Sequence, residues 1–312
     1  MRFAIIGAGT IGMTYGYLLS QFYQVTFVVR PSRMPFYRDE FWLHLLDLRV
    51  RRRVSARFTP RVCSSLEDLE ADVVLVMVDG DHLCEVLPSL VSLPPDLPIL
   101  FMLNRWTLIE DVENYLSQER FFLGFPSQVG GTRHDHELRA TVFKTGTILE
   151  KGDQQRRPLL ESIRTAFARA GLNVSRQSAM HTWLKVHCLQ QSLTAAPLIE
   201  AGSLDALIAN RLLMQSMVLA FREGLKVCQA VGEDPRWVWP APLFQLPART
   251  VTFVMRRMFA DPVVKTMILA HAEHGLSEWV SGFRSIHSSA KAHRLKTPML
   301  DHYEEVLRRC RL

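Results

Sequence analysis

The sequence predicts an α/β fold: a doubly wound parallel sheet in the first half, then an all-helical C-terminal domain. Three observations carry that reading. A short apolar run, Phe3 to Ile6, ends in Gly7-Ala8-Gly9-Thr10-Ile11-Gly12. Further apolar runs of strand length, Val73 to Val78 and Pro98 to Leu103, alternate with stretches of helical spacing. Beyond residue 175 nearly every segment reads as helix.

Each element follows in order. Phe3 to Ile6 has the continuous apolar character of a buried parallel strand. Gly7 permits a tight turn after it, Gly9 lets backbone approach a pyrophosphate, and Gly12 lets the first helix pack closely on the strand. That helix is expected over Ile11 to Gln21, and a second strand over Val25 to Val29. A GxGxxG run alone is weak evidence. Between a strand and a helix, with a second strand following, it specifies the Rossmann-type dinucleotide loop, and the helix start offers N–H groups and a positive dipole end to phosphates. The residues Gly7, Ala8, Gly9, Thr10, Ile11 and Gly12 are therefore read as cofactor-binding.

The second strand ends in Arg30-Pro31-Ser32-Arg33. NAD-binding loops carry Asp or Glu at this place, to accept from ribose hydroxyls. A guanidinium cannot accept those bonds but pairs well with a 2′-phosphate. Arg30 thus points to NADP rather than NAD.

The remaining strands of the sheet are expected at Val73 to Val78, Pro98 to Leu103 and Phe121 to Phe125, with helices near Asp81 to Ser92 and Thr107 to Glu119. Gly130-Gly131 and Thr141 to Leu149 read as antiparallel strands that finish the sheet. Ligands in such sheets sit beyond the carboxyl ends of the strands, which places Asp79 to Asp81 and Asn104 with the glycine loop. The first domain is set at residues 1–175 and the helical domain at 176–312. The helices expected in the second are Ala179 to Ala196, Leu204 to Val231, Thr250 to Phe259, Val280 to His293 and Met299 to Arg309.

With 312 residues and 48% hydrophobic composition, the chain has ample material for two cores. Its formal net charge of +6 suits anionic ligands. The densest basic stretch, Arg49 to Arg61, lacks interleaved aromatics and reads as an exposed hairpin, so no nucleic-acid partner is expected. Five cysteines without a CxxC pair fit a reducing compartment. No apolar run reaches membrane-spanning length, and Met1 leads straight into the first strand; a cytoplasmic protein with no membrane partner is the expectation. Trp237-Val238-Trp239-Pro240 reads as packing between domains or in a homodimer. His134-Asp135-His136 lacks a third ligand at metal-site spacing and reads as a polar loop. His271-Ala272-Glu273-His274 departs from HExxH and reads as an exposed helical stretch or a lip of the cleft. No metal is expected.

Hydride transfer to a carbonyl or imine needs a proton donor beside the acceptor. His181, Lys185, Cys188 and Ser192 share one face of the first helix of the second domain by spacing. A lysine there could be a solvated surface group, or partly buried and so tuned toward acid catalysis.

The chain resembles the ketopantoate reductase family, the NADP-dependent 2-dehydropantoate 2-reductases of pantothenate biosynthesis. The resemblance rests on Gly7 to Gly12, Arg30, Leu103-Asn104, Thr182-Trp183-Leu184-Lys185, and Trp279-Val280-Ser281-Gly282-Phe283 followed by Pro298. It implies a catalytic Lys185 that hydrogen-bonds the substrate carbonyl and delivers its proton. It also implies that Asn104 stands near the nicotinamide and ribose and positions the reactants. Several positions depart from the family. Asp79-Gly80-Asp81 replaces a lysine near the cofactor, and Arg105-Trp106 replaces a glycine. Leu189 and Leu193 stand for substrate-binding asparagines, and Leu276 stands for a glutamate, with Glu278 two residues on. The expected substrate is a small keto or imino compound less polar than ketopantoate. Two alternatives remain: an opine- or imine-type dehydrogenase with His181 or His187 as donor, and a non-catalytic NADP-binding protein.

Overall fold

The computed structural model describes residues 1–67 and 69–310, without the side chains of residues 263, 267, 270, 271, 273 and 274. The side chains of His271, Glu273 and His274 considered above therefore lie outside the described residues. The chain divides into two compact units. The first is Met1–Leu103 with Leu108–Met180; the second is Asn104–Thr107 with His181–Leu312.

The first unit carries the strands β1 (Arg2–Ile6), β2 (Gln24–Val28), β3 (Phe41–Asp47), β4 (Arg52–Phe58), β5 (Val62–Cys63), β6 (Val73–Val76), β7 (Ile99–Met102), β8 (Phe121–Phe125), β9 (Val129–His134), β10 (Glu137–Val142), β11 (Thr147–Glu150) and β12 (Val174–Gln177). Its helices are α1 (Thr10–Ser20), α2 (Met34–Arg38), α3 (Leu83–Leu90), α4 (Leu108–Glu113) and α5 (Arg157–Arg169). Eight strands form one sheet in the order β12-β11-β8-β7-β6-β1-β2-β5, with only the β8–β11 pair antiparallel. The chain leaves β1 toward β2 on one side and returns through β6 on the other. The strand order thus reverses beside β1, and this switch point is where such sheets bind ligands. Phe3 to Ile6 and Val73 to Val76 are all buried, as their unbroken apolar runs require.

A second sheet, order β4-β3-β10-β9, stands apart from the first. Of the segments expected to finish the main sheet, Gly130-Gly131 and Thr141 to Leu149, only the part in β11 joins it; β9 pairs with β10, and β10 with β3, in the second sheet. The expected Arg49–Arg61 hairpin is the outer half of the β3–β4 pair, turning through Arg51 at φ +53°. Arg53 and Arg57 line the exposed face of this edge strand and Arg52 is exposed at its start, charges that discourage edge-to-edge pairing. Arg57 stacks on Trp42, its register partner, at 4.5 Å.

The second unit is helical: α6 (Met180–Ala201), α7 (Leu204–Ala209), α8 (Arg211–Ala230), α9 (Ala248–Phe259), α10 (Pro262–Ala292) and α11 (Pro298–Arg309). The single helix expected over Leu204 to Val231 is two. Asn210 leaves helical geometry and its side chain accepts from Leu212 N and Leu213 N at 3.0 and 3.2 Å, restarting the helix as its N-cap. Glu223 of α8 accepts from Met299 N and Leu300 N at the start of α11, where Pro298 leaves no N–H to satisfy. Trp237 and Trp239 are largely exposed. Among the described residues no helix is long and apolar enough to cross a membrane.

Candidate functional site

In the first unit the glycine run turns where β1 ends. Gly7 sits at φ +114°, and a Cβ there would collide with the Met77 carbonyl at the end of β6. A Cβ on Gly12 would collide with the Gly7 carbonyl. Gly9 differs. Its φ of −76° suits any residue, and a Cβ built on it meets nothing within 4 Å. Gly7 and Gly12 are therefore explained by the protein's own packing, whereas Gly9 keeps a space open in front of the backbone. The first helical bond of α1 runs from Met13 N to Gly9 O at 2.9 Å, and Gly9 lends no side-chain cap. The N–H groups of Thr10, Ile11 and Gly12 precede that bond and face outward from the helix start. An open cradle whose first N–H groups have no acceptor within the helix, at a positive dipole end, fits a dinucleotide pyrophosphate.

Arg30 follows β2 and begins the turn over Pro31–Arg33, with Arg33 N donating to its carbonyl at 2.8 Å. Its side chain is 71% exposed and stands 3.8 Å from the Glu85 carboxylate of α3, itself 59% exposed. The guanidinium is thus held loosely and can re-aim at an incoming anion. Asp79 is exposed beside His82, at 3.9 Å.

In the second unit Lys185 of α6 is only 4% exposed. Its Nζ donates to the Trp106 carbonyl at 2.8 Å and lies 4.9 Å from the centre of the Trp106 ring. The ring face and the carbonyl oxygen both offer favourable contacts to this buried amino group. Trp106 is buried in turn, and its Nε1–H donates to Ser289 Oγ of α10 at 2.8 Å. Asn104 Nδ2 donates to Gln191 Oε1 at 2.9 Å, while Asn104 Oδ1 is buried with no hydrogen-bond partner. Cys188 lies 3.6 Å from Ser192 Oγ, on the α6 face that meets Gly282 of α10; a Cβ there would press into Ser192. Burial pushes the Cys188 thiol up to about 11 and that of Cys228 up to about 12, so neither is a thiolate nucleophile near neutral pH. His187 stacks on Trp183 at 4.9 Å.

A cavity of about 850 Å³ opens along α10. Leu276 and Val280 supply an apolar wall, Ser281, Ser285 and Ser289 supply hydroxyls at four-residue spacing, and Arg284 supplies a cation. Thr107, the residue after Trp106, also borders it. Trp106 therefore connects Lys185, through its carbonyl and ring, to the cavity edge, through its indole N–H. Leu276 faces this cavity, but Leu189 and Leu193 do not line it; both pack in the core against Gly224 of α8.

Gln191, Ser289 and Arg284 were not among the residues expected to act. The glutamine is adjacent to positions the sequence drew attention to. The four-residue recurrence of serine along α10 was a readable signal of one hydroxylated face.

Residues 3–152 match the family profile described as ketopantoate reductase PanE/ApbA. No protein of the curated set matches the sequence. Among solved structures the fold is similar to a D-mandelate dehydrogenase in ternary complex with NADH and anilino(oxo)acetate, at 16% identity and TM-score 0.74 over 99% of this chain and 97% of that one. It is also similar to the dimeric ketopantoate reductase of Staphylococcus aureus, at 17% identity and TM-score 0.68 over 99% and 98% of the two chains. The 2-dehydropantoate 2-reductase of Geobacter metallireducens GS-15 is comparable, at 16% identity and TM-score 0.70 over 99% and 100%. Residues 3–152 thus match the ketopantoate reductase PanE/ApbA profile, and the fold is shared along nearly the whole chain with these solved structures.

Proposed function

We propose that this protein is an NADPH-dependent reductase of a 2-oxo acid whose substituent is bulkier and less polar than that of ketopantoate. The observation that carries the reading is the buried Lys185 Nζ, held by the carbonyl and ring of Trp106, whose indole N–H in turn reaches Ser289 of a cavity that Arg284 also lines. The nicotinamide cofactor supplies hydride when bound. Gly9 and the N–H groups of Thr10 to Gly12 hold its pyrophosphate, and Arg30 pairs with the 2′-phosphate. Lys185 donates a hydrogen bond from Nζ to the substrate carbonyl oxygen and passes a proton to that oxygen as negative charge develops there. Trp106 fixes the direction of Nζ. Asn104, anchored through Gln191, presents its buried Oδ1 as a positioning acceptor.

Arg284 binds the substrate carboxylate, helped by the serine hydroxyls beside it, and Leu276 and Val280 receive the apolar substituent. The D-mandelate dehydrogenase neighbour is described with anilino(oxo)acetate, a 2-oxo acid derivative bearing an aromatic ring, which supports this substrate class. Arg284→Leu is then expected to raise KM for 2-oxo acids at least tenfold while leaving NADPH affinity unchanged, since a charge-assisted contact contributes about 1.5–3 kcal/mol. Steady-state kinetics beside an NADPH titration checks this. Equal KM in both proteins would remove Arg284 from the site.

The cofactor choice rests on Arg30. Arg30→Ala is expected to weaken NADPH at least tenfold and NADH by less than about twofold. Glu85→Gln frees the guanidinium and is expected to tighten NADPH a few-fold, in keeping with the small value of exposed ion pairs. Calorimetric titration with both cofactors decides; equal losses in Arg30→Ala would overturn the preference for NADP.

A further inference from the structure

The Ala8 carbonyl, in the middle of the glycine run, receives two donors from elsewhere in the first unit. Tyr37 Oη donates to it at 2.8 Å and Arg133 Nη1 at 2.6 Å. Arg133 Nη1 also donates to Tyr37 Oη at 2.7 Å, which closes a three-membered network on one carbonyl. Tyr37 is buried and comes from α2; Arg133 is half-buried and comes from β9, a strand of the second sheet. The guanidinium lies over the rings of Phe36 and Tyr37, at 5.6 and 5.5 Å from their centres. Among the described residues Nε and Nη2 of Arg133 take no protein acceptor.

A neutral hydroxyl would satisfy one carbonyl, and Tyr37 already provides it. The added guanidinium brings a permanent positive charge and three unused N–H donors to a loop that packing alone has shaped. The next residues along the chain, Gly9 and Thr10, present the open cradle and the helix start, about 3.8 Å away per residue step. The charge therefore stands within one or two residues of the place where a pyrophosphate meets the loop. It is far along the chain from Arg30, which follows β2 and faces Glu85.

Resting on the dinucleotide reading above, we infer that Arg133 is a positioning residue for the phosphate-binding loop. It pins the Ala8 carbonyl so that the Gly9–Gly12 backbone faces the ligand, and its charge attracts the pyrophosphate shared by NADPH and NADH. The second sheet is thereby part of the cofactor site: β9 packs on α1 and delivers this cation. The assignment separates two anion-reading roles on one ligand, with Arg133 at the pyrophosphate and Arg30 at the 2′-phosphate.

The test is a titration of the full chain with NADPH and with NADH, comparing wild type, Arg133→Met, Arg133→Lys and Arg30→Ala. Arg133→Met is expected to weaken both cofactors by the same factor, about tenfold, as for one charge-assisted contact. Arg133→Lys should recover part of that loss, and its melting temperature should match wild type. Wild-type affinity for both cofactors in Arg133→Met overturns the inference, as does a loss confined to NADPH, which would put Arg133 at the 2′-phosphate. If Arg133→Met does not fold, Arg133→Gln, which keeps a donor for Ala8 and Tyr37, decides by the same two criteria. A wild-type protein that binds neither cofactor would instead defeat the dinucleotide reading itself.

Discussion

Lys185→Ala is expected to bind NADPH as wild type does and to lose turnover by a factor of about 10²–10⁴, the range contributed by a positioned general acid. The side chain is buried, so its removal also leaves the Trp106 carbonyl without its donor. An unsatisfied buried carbonyl costs about 1–3 kcal/mol, and a lower melting temperature in Lys185→Ala is expected for that reason. Lys185→Gln separates the two effects. Its amide can still donate to Trp106 but holds no transferable proton, so it should regain stability and stay inactive. Stopped-flow oxidation of NADPH beside a thermal melt reads both quantities. Turnover near wild type in Lys185→Gln would move the proton donor to another group. His187 is then the next residue to test, although its stacking on Trp183 already restrains it.

The glycine run yields the second large effect, because its three glycines are constrained by different things. Gly9→Val should fold normally: φ of −76° is open to any residue, and nothing of the protein stands within 4 Å of the new Cβ. Losing glycine's flexibility in the unfolded chain should even favour the native state by about 0.4–1 kcal/mol. Its side chain, however, occupies the space kept for the pyrophosphate. Dinucleotide affinity is expected to fall at least a hundredfold, about 2.7 kcal/mol. Gly12→Ala is the converse. Its Cβ meets the Gly7 carbonyl, so the first helix must shift off the strand, and stability should fall by about 1–3 kcal/mol. Melting temperatures and cofactor titrations on the two variants distinguish them. Unaltered NADPH affinity in Gly9→Val would mean that the glycine loop is only a turn.

Much of the first unit was legible from residue pattern, and the reasons are physical. Phe3 to Ile6 and Val73 to Val76 are buried on both faces, so their unbroken apolar runs declare central parallel strands. The second sheet was harder. Phe41, Leu43 and Leu45 alternate with Trp42, His44 and Leu46, a period of two that marks a one-sided strand. The charged run that follows drew the reading toward a separate hairpin. Pairing of β3 with β10 joins residues far apart in the chain, and no local period encodes such a partner. The break at Asn210 was readable from a capping side chain placed before Arg211, but continuous helical spacing on both sides masked it.

In the candidate site, glycine spacing located the phosphate loop because backbone chemistry demands those residues. The environment of Lys185 was not accessible in the same way. Trp106 lies 79 positions away from it in sequence, and only the folded chain shows that its carbonyl and ring hold the ammonium. The substitutions at Leu189 and Leu193 take on a different meaning in three dimensions. They fill the helical core, whereas Leu276 alone of the three leucines borders the cavity.

The central claim is that hydride passes from a nicotinamide to the carbonyl carbon of an apolar 2-oxo acid. Incubation of the protein with NADPH deuterated at C4 and a panel of aryl- and branched alkyl-substituted 2-oxo acids tests it directly, with products read by mass spectrometry. The predicted result is a 2-hydroxy acid carrying one deuterium at C2, formed by wild type and formed at least about a hundredfold more slowly with Lys185→Ala. Tight NADPH binding with no labelled product from any member of the panel would contradict the claim.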